Sequence, residues 1–298
     1  MPVLPRSVLF VPGHRLDLAG KAARGAADAV CLDLEDGVAE ADKMAARRCL
    51  GDAGATLRAA GKPVWVRIDA RADRISHDLD ALPPYCSTVV VPKVESLGSL
   101  HRLDEALHRT ATVHGHDAPR LLALVESVTG LDQLVVDTVP PPRSLLALAL
   151  GTEDLAMQLG CPPGSSPVRH AFDRLALAAA RHGTALFGFP GSIAEFRDLD
   201  RFEASVRAGC DAGSLGAFCI HPAQLDVLHR CYTVDARTLR DAREIVAAFD
   251  AMPDGAAGGG AVAVAGRIVD PPVYRRALAC LARAEALGMN PTRAKPPT

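Results

Sequence analysis

The chain has 298 residues, of which 49% are hydrophobic and 4% aromatic, and its formal net charge is −2. This length is sufficient for one (β/α)8 barrel of roughly 250 residues and a small additional segment. The near-neutral charge gives no electrostatic basis for binding nucleic acid, and no stretch reaches the roughly 18 uncharged apolar residues of a membrane span.

Short runs rich in Val, Leu and Ile alternate with longer Ala-, Arg- and Leu-rich segments, the pattern of repeated βα units. No GxGxxG turn follows any run, and an open doubly wound sheet usually has fewer strands. We therefore predict an α/β fold, a (β/α)8 TIM barrel, with its trailing helices in residues 1–253. The eight predicted strands are SVLFVPG, DAVCLDLED, PVWVRID, TVVVPKVE, LLALVES, LLALALGTED, ALFGFPG and GAFCIHP.

Helices are predicted between the strands, for example over residues 16–25 and 171–183, each of which ends on a glycine. After Pro222 the pattern changes, and two helical segments lead to DGAAGGG at residues 254–260. This glycine-rich stretch predicts a hinge before a movable lid. The lid segment, residues 261–298, is predicted to contain a short strand or hairpin, a Pro-Pro turn and a final helix.

Cysteine usage indicates a reducing environment. The eight cysteines form no CxxC pair, and Cys31 and Cys219 lie within apolar strand runs, where a thiol is usually an inert hydrophobic group. The N-terminal residues, with Arg6 between Pro5 and Pro12, do not resemble a signal peptide. We expect a cytoplasmic protein that binds neither membranes nor nucleic acid.

Between residues 121 and 154, two apolar runs are each followed by acidic residues. The apolar run of LLALVES stops at Glu126, and that of SLLALALGTEDL stops at Glu153 and Asp154. Continuous apolar runs are typical of strands buried on both faces in parallel sheets. Two acids at the carboxyl ends of neighbouring strands are the minimum for binding Mg²⁺. The alternative is that Glu126 caps a helix and Asp154 pairs with an arginine.

Most of the other strand ends also carry polar side chains, which a barrel would place around one rim. Asp33, Glu35 and Asp36 can instead cap the second helix. Arg67 needs an anionic partner, which can be these acids or a substrate carboxylate. His221 is a lone histidine, and such residues are more often part of a core than catalytic. The rim residues are Arg15, Asp33, Glu35, Asp36, Arg67, Lys93, Glu95, Glu126, Glu153, Asp154 and His221.

Eight segments of residues 6–277 resemble, in the same order, the motifs of the citrate lyase β-subunit-like CoA-ester lyases. These belong to the HpcH/HpaI aldolase superfamily, with malyl-CoA and citramalyl-CoA lyases. The resemblance implies a Mg²⁺-dependent carbon–carbon lyase that acts on a 3-hydroxyacyl-CoA thioester such as citryl-, malyl- or citramalyl-CoA. The enzyme would cleave the thioester into acetyl-CoA and a keto acid, or form it from them. The segments are RSVLFVPGHRLDLAGKA, VCLDLEDGV, VWVRID, VVPKVES, LVES, LGTEDLA, CIHPAQL and GRIVDPPVYRRA.

The resemblance also implies roles for individual residues. Glu126 and Asp154 would hold the metal, with Glu126 also next to the substrate, and Arg67 would hold the keto-acid carboxylate. Asp270 would be the acid/base of a lid, often on a neighbouring subunit, although it can also be a turn former before a proline. Asp36 is the third catalytic candidate, with Arg67 and Asp270. The residues expected on the CoA side are Phe10, Arg15, Lys21, Glu153, Ile220 and His221.

Two positions depart from the family pattern. SLGAFCIHP has no lysine before Ile220, and Phe189 occupies a strand end where many relatives have an aspartate. Three other functions remain open, namely condensation followed by hydrolysis as in malate synthases or thioesterases, acyl-CoA binding without turnover, and aldol cleavage without CoA. The resemblance further implies a homo-oligomer, a trimer or a hexamer.

Overall fold

Eight parallel strands form the centre of residues 4–232, and they follow the chain in the predicted order. The computed structural model describes residues 4–252, 261–264 and 266–289. The strands are Ser7–Pro12 (β1), Ala29–Asp33 (β2), Val64–Arg67 (β3), Cys86–Val91 (β4), Arg120–Val125 (β5), Leu145–Leu150 (β6), Ala185–Phe187 (β7) and Ala217–Cys219 (β8).

The sheet closes on itself and confirms the (β/α)8 barrel. Each strand from β1 to β7 pairs in parallel with the next, and β1 also pairs with β8. Between β7 and β8, the Leu215 N–H donates to Leu186 O at 3.1 Å and the Gly188 N–H donates to Gly216 O at 2.7 Å. A Cβ atom on Gly216 would lie 2.0 Å from the carbonyl oxygen of Pro5, which precedes β1, and 2.7 Å from the Phe187 ring of β7, so the start of β8 requires glycine.

Helices connect the strands and cover the outside of the barrel. The helix predicted over residues 171–183 in fact begins at Ser166 and ends at Arg181. It begins earlier because Pro167 in its first turn needs no hydrogen-bond partner for an N–H. The helices are Leu16–Arg24 (α1), Lys43–Ala59 (α2), Ile75–Asp80 (α3), Leu97–His114 (α4), Val128–Val136 (α5), Thr152–Leu159 (α6), Ser166–Arg181 (α7), Leu199–Asp211 (α8) and Leu225–Tyr232 (α9), with short 3-10 helices at Glu40–Asp42 and Pro222–Gln224.

The barrel interior is filled by side chains. Trp65, Phe187 and Phe218 pack against one another there, with ring centroids 5.0 Å apart for Phe187 and Phe218 and 6.0 Å for Trp65 and Phe187. Alternate strand residues point outward and pack, mainly as Leu, Val and Ala, against the helices. These three aromatic rings thus provide bulk in the interior of the barrel.

The described residues from Thr233 onward form a second compact unit. It contains helix Ala236–Asp250 (α10), an antiparallel hairpin of Val262–Val264 (β9) and Arg267–Val269 (β10), and helix Pro271–Ala286 (α11). Phe249 stacks on Tyr274 with ring centroids 4.6 Å apart, and the Tyr274 hydroxyl donates to Asp250 Oδ1 at 2.7 Å. The hairpin and the final helix agree with the sequence prediction.

The predicted Pro-Pro turn is wrong, because Pro271 and Pro272 form the first turn of α11. Helix N-termini accept proline, since the first N–H groups have no partner within the helix. α10 packs on α11 within this unit. The predicted hinge at residues 254–260 lies outside the described residues, so the domain boundaries stay a prediction.

Among the described residues, no helix combines the length and the apolar character needed to cross a membrane. All eight cysteines are free thiols.

Candidate active site

A cavity of about 250 Å³ opens at the carboxyl ends of the barrel strands. In this fold the carboxyl rim is where catalytic side chains converge. Five of the predicted site residues line the cavity, namely Asp36, Arg67, Glu126, Glu153 and Asp154.

Glu126 follows β5 and points toward β6. It does not cap α5, because the Ser127 hydroxyl accepts the Gly130 N–H at 3.0 Å and fills that role. A Cβ atom on Gly151 would lie 2.3 Å from Glu126 Cγ, so the glycine of the GTED segment makes room for this carboxylate. The capping alternative for Glu126 is therefore wrong.

Asp154 lies in the first turn of α6, and its side chain is half-buried. Among the described residues it has no ion-pair partner, so the proposed pairing with an arginine is absent there. Burial, together with the charges of Glu35 and Asp154, raises the pKa of Glu126 to about 8, although the charges of Lys93 and Arg67 lower it. A cation between Glu126 and Asp154 would offset this repulsion.

Arg67, at the end of β3, is fixed by acids from β2. Its Nε donates to Asp33 Oδ1 at 2.7 Å, its Nη2 donates to Asp33 Oδ2 at 2.6 Å, and its Nη1 lies 3.2 Å from Glu35 Oε2. Its guanidinium also lies 4.7 Å from the centre of the Phe10 ring. Burial works to lower the pKa of Arg67, but these carboxylates raise it above its ordinary value. The guanidinium is thus a permanent, rigidly held cation.

Lys93 connects this network to Glu126. Its backbone is left-handed, with φ 54°, and its N–H donates to Glu126 Oε2 at 3.0 Å. Its ammonium group binds the Glu35 carboxylate and lies 3.6 Å from Asp36 Oδ2. Burial raises the pKa of Glu35, while Arg67 and Lys93 oppose that rise. The sequence places Lys93 on the rim but contains no signal for this backbone conformation or for its contact with Glu126.

The residues expected on the CoA side occupy different environments. Arg15 and Lys21 are exposed on or beside α1, and Arg15 Nε donates to Asp17 Oδ1 at 2.8 Å. Phe10 is half-buried and stacks on Phe218, with ring centroids 4.7 Å apart. Arg15 and Lys21 are accessible to a ligand, whereas Phe10 lies under Arg67.

The remaining residues of that group lie after β6 and β8. Glu153 is exposed, and its Oε1 accepts the Ser192 hydroxyl at 2.6 Å. Ile220 is 43% exposed, and the His221 ring stacks on Phe196 with centroids 4.8 Å apart. Their contacts with CoA stay a prediction.

Asp270 belongs to the second unit. Its Oδ1 accepts the Val273 N–H at 3.1 Å, so this carboxylate caps α11. The cap agrees with the structural alternative for Asp270, and its acid/base role stays a prediction.

The donors at the rim fit a hard cation. Among the described residues, no group of three or more His, Cys, Asp or Glu side chains is arranged to hold a metal ion. Mg²⁺ is commonly bound by one or two carboxylates, with water and substrate oxygens as its other ligands. Glu126 and Asp154 supply that number of carboxylates, and both line the cavity.

The sequence matches known proteins over nearly its whole length. A family model described as HpcH/HpaI aldolase/citrate lyase matches residues 6–222. A citrate lyase subunit beta-like protein of Deinococcus radiodurans is 34% identical, over 93% of this chain and 96% of that protein. An L-malyl-CoA/beta-methylmalyl-CoA lyase of Cereibacter sphaeroides is 29% identical, over 95% of each chain.

Solved structures share the fold. The protein CitE from Mycobacterium tuberculosis, in complex with magnesium, acetoacetate and coenzyme A, superimposes with a TM-score of 0.70 and 29% identity, over 95% of this chain and 98% of that one. The citrate lyase beta subunit complexed with oxaloacetate and magnesium, from the same organism, has a TM-score of 0.62 and 28% identity, over 76% and 96% of the two chains.

Proposed function

The chain belongs to the HpcH/HpaI aldolase/citrate lyase family, and from this we propose that it is a Mg²⁺-dependent carbon–carbon lyase of 3-hydroxyacyl-CoA thioesters. The observation that supports this most directly is the cavity at the barrel rim, where Glu126 and Asp154 line the same space as Arg67. A relative of similar sequence is named a malyl-CoA lyase, and a structural neighbour contains magnesium and coenzyme A.

The proposed reaction breaks the bond between the hydroxyl-bearing carbon and the thioester α-carbon. The hydroxyl group loses its proton and becomes a ketone, and the α-carbon of the leaving thioester enolate gains a proton. A divalent cation held by Glu126 and Asp154 would supply Lewis-acid stabilisation of the substrate oxygens. The same steps in reverse form the bond.

Arg67 would bind the carboxylate of the keto-acid fragment. Because Asp33 and Glu35 fix the guanidinium from one side, it can offer its remaining N–H groups without losing orientation. Asp270 is the proposed acid/base, acting within one chain or on a neighbouring subunit. Asp36, which is exposed and lines the cavity, is the second acid/base candidate.

The nucleotide part of CoA would lie along the side of the rim formed after β1, β6 and β8. We propose Phe10, Arg15, Lys21, Glu153, Ile220 and His221 as its surroundings. Arg15 and Lys21 are exposed cations beside α1, which suits the CoA phosphates. Free thiols throughout the chain suit a cytoplasmic location.

The function is tested with citryl-, malyl- and citramalyl-CoA at saturating Mg²⁺, by measuring acetyl-CoA and the keto acid. We expect at least one thioester to be cleaved and EDTA to stop the reaction. Stoichiometric free CoA instead of acetyl-CoA would indicate condensation with hydrolysis. Saturable acyl-CoA binding in calorimetry, with no turnover of any thioester and no effect of Asp270→Ala, would favour a binding protein.

We also propose a trimer or hexamer, in which Asp270 could serve a neighbouring barrel. Sedimentation velocity measures the assembly. Mixing Asp270→Ala with Arg67→Lys should restore part of the activity if the two residues act across a subunit interface. Full activity of an isolated monomer would contradict this arrangement.

A further inference from the structure

Lys43, the first residue of α2, is a buried lysine whose ammonium group is surrounded by oxygen atoms. It is 6% exposed, and its Nζ donates to Leu34 O and Glu35 O, both at 2.7 Å, and lies 3.5 Å from Asp69 Oδ2. A lysine is almost never buried without partners, and these three oxygens match the three hydrogens of an ammonium group. Lys43 therefore has no donor to spare for a ligand.

The two carbonyl groups belong to the loop after β2, and this loop presents the Glu35 side chain. On the amide side of the loop, the Leu34 N–H donates to Arg67 O at 2.9 Å. The Glu35 N–H donates to Asp33 Oδ1, also at 2.9 Å. Lys43 holds the same two residues by their carbonyl oxygens. The Glu35 backbone is thus fixed from two sides, and Lys43 supplies one of them.

Glu35 connects this loop to the candidate active site. It is 4% exposed, its Oε2 lies 3.2 Å from Arg67 Nη1, and its other carboxylate oxygen binds the Lys93 ammonium group. The Lys93 N–H in turn donates to Glu126 Oε2 at 3.0 Å. A shift of Glu35 would therefore reach both the arginine proposed to bind a carboxylate and a proposed metal ligand.

The third oxygen, on Asp69, anchors Lys43 to the loop after β3. Asp69 is 2% exposed, and its N–H donates to Asp78 Oδ2 at 2.6 Å. Arg47, four residues after Lys43 on α2, donates from Nε to Asp78 Oδ1 at 2.6 Å. Residues four apart lie on one face of a helix, so this face of α2 supports the loops after β2 and β3 together.

Lys43 lines a different cavity from Arg67 and Glu126. That cavity has a volume of about 440 Å³ and lies among the loops after β2, β3 and β4, whereas Arg67 and Glu126 line the cavity of about 250 Å³. Lys43 therefore acts on the candidate active site through Glu35, and not by touching a ligand there.

We propose that Lys43 is a positioning residue, which keeps Glu35 in place and, through it, the Arg67 guanidinium and Lys93. This inference rests on the proposed lyase function, in which Arg67 binds the keto-acid carboxylate. Without the ammonium group, three buried oxygens lack a donor, and the loop after β2 must shift to find one. A misplacement of about 1 Å is enough to cost roughly 100-fold in rate.

Lys43→Met tests the proposal, because it keeps the length of the side chain and removes its donors. Lys62→Met is the matched control, since Lys62 Nζ also donates to two carbonyl oxygens, those of Gly25 at 2.9 Å and Ala27 at 2.7 Å, but in the segment before β2. In calorimetry with Mg²⁺, we expect Lys43→Met to weaken the binding of pyruvate or oxaloacetate at least about tenfold and to leave coenzyme A binding within about twofold of wild type. Lys62→Met should change neither. A merely structural defect would reduce the bound fraction of both ligands together.

Lys43→Ala with added ethylammonium keeps the test decisive if Lys43→Met does not fold. This small cation can enter the cavity of about 440 Å³ and supply N–H donors, whereas tetramethylammonium has none. Recovery of keto-acid binding with ethylammonium alone supports the inference. Recovery of the fold without keto-acid binding overturns it, and so does no recovery with either cation.

A crystal structure of the folded variant decides the geometry without any ligand. The Glu35 carboxylate should move away from Arg67 Nη1. Unchanged contacts of Glu35 with Arg67 and Lys93 would overturn the inference, and so would equal effects of Lys43→Met and Lys62→Met on keto-acid binding. If the wild type binds no keto acid and cleaves no thioester, the proposed function is contradicted, and the crystal structure alone then decides the role of Lys43.

Discussion

Glu126 and Asp154 are the residues at which single substitutions should separate metal binding from folding. Glu126→Gln or Asp154→Asn removes one anionic oxygen donor but keeps the shape of the side chain. We expect activity below about one hundredth of wild type and a matching loss of Mg²⁺ affinity in calorimetry. Glu95→Gln, at an exposed rim residue, is the matched control and should bind Mg²⁺ normally. Near-normal turnover in either site variant would remove the pair from the mechanism.

Lys93 allows a second residue-level prediction, because its φ of 54° disfavours side chains with a Cβ. Lys93→Gly and Lys93→Ala both remove the ammonium group that binds Glu35 and keep the N–H that binds Glu126. The glycine variant should therefore be more stable than the alanine variant by about 1 kcal/mol. Urea unfolding measures the difference. An alanine variant of equal or greater stability would show that this backbone is not strained.

Much of the candidate site could be predicted from the sequence, because its position depends on one regularity of the fold. Parallel strands bring their carboxyl ends to a common rim, and this is enough to place Glu126, Asp154 and Arg67 around one cavity. The contacts of Lys93 could not be predicted in the same way. They depend on a backbone dihedral angle and on the exact direction of a neighbouring carboxylate, and neither leaves a pattern in one sequence.

At the scale of elements, the closure between β7 and β8 should be the most sensitive part of the sheet. Gly216→Ala would place a methyl group 2.0 Å from Pro5 O, and the backbone must move to accept it. We expect a loss of about 3 kcal/mol in the free energy of unfolding. Gly51→Ala is the matched control, because Gly51 lies within α2 with no atom near its Cβ position, and it should stabilise the protein by about 0.5–1 kcal/mol.

Both variants are compared in urea. If Gly216→Ala unfolds like the wild type, the close approach of Gly216 to Pro5 does not constrain the sheet. The eight strands were predictable because buried parallel strands are continuous apolar runs. The first residues of helices were less predictable, as at Ser166 and Pro271. A proline there is typical both of a first helical turn and of a turn between elements.

At the scale of the whole molecule, acid stability depends on buried carboxylates such as Asp69. Burial works to raise its pKa, but hydrogen bonds from Arg71 and the charge of Lys43 lower it from 3.8 to about 2. Because the pKa is lower in the folded state, this group stabilises the fold above about pH 4, and the contribution is lost as the pH falls toward 2. Asp69→Asn should therefore flatten the dependence of unfolding free energy on pH in this window.

Urea unfolding at stepped pH values tests this expectation. Asp173→Asn, at an exposed position on α7, is the control and should keep the wild-type slope. An unchanged slope in Asp69→Asn would show that other carboxylates dominate acid unfolding. The contact of α10 with α11 could not be predicted, since α10 has the same amphipathic pattern as the barrel helices.

Trp65 lies in the barrel interior, 3% exposed and packed against Phe187 and Phe218, and it is the only tryptophan of the chain. Its emission therefore reports on residues 4–232 alone, while circular dichroism at 222 nm also senses α10 and α11. Coincident curves from the two optical signals during denaturation would mean that both units melt as one cooperative block. If the fluorescence midpoint lies at a higher denaturant concentration than the ellipticity midpoint, the unit after Tyr232 unfolds in a separate transition.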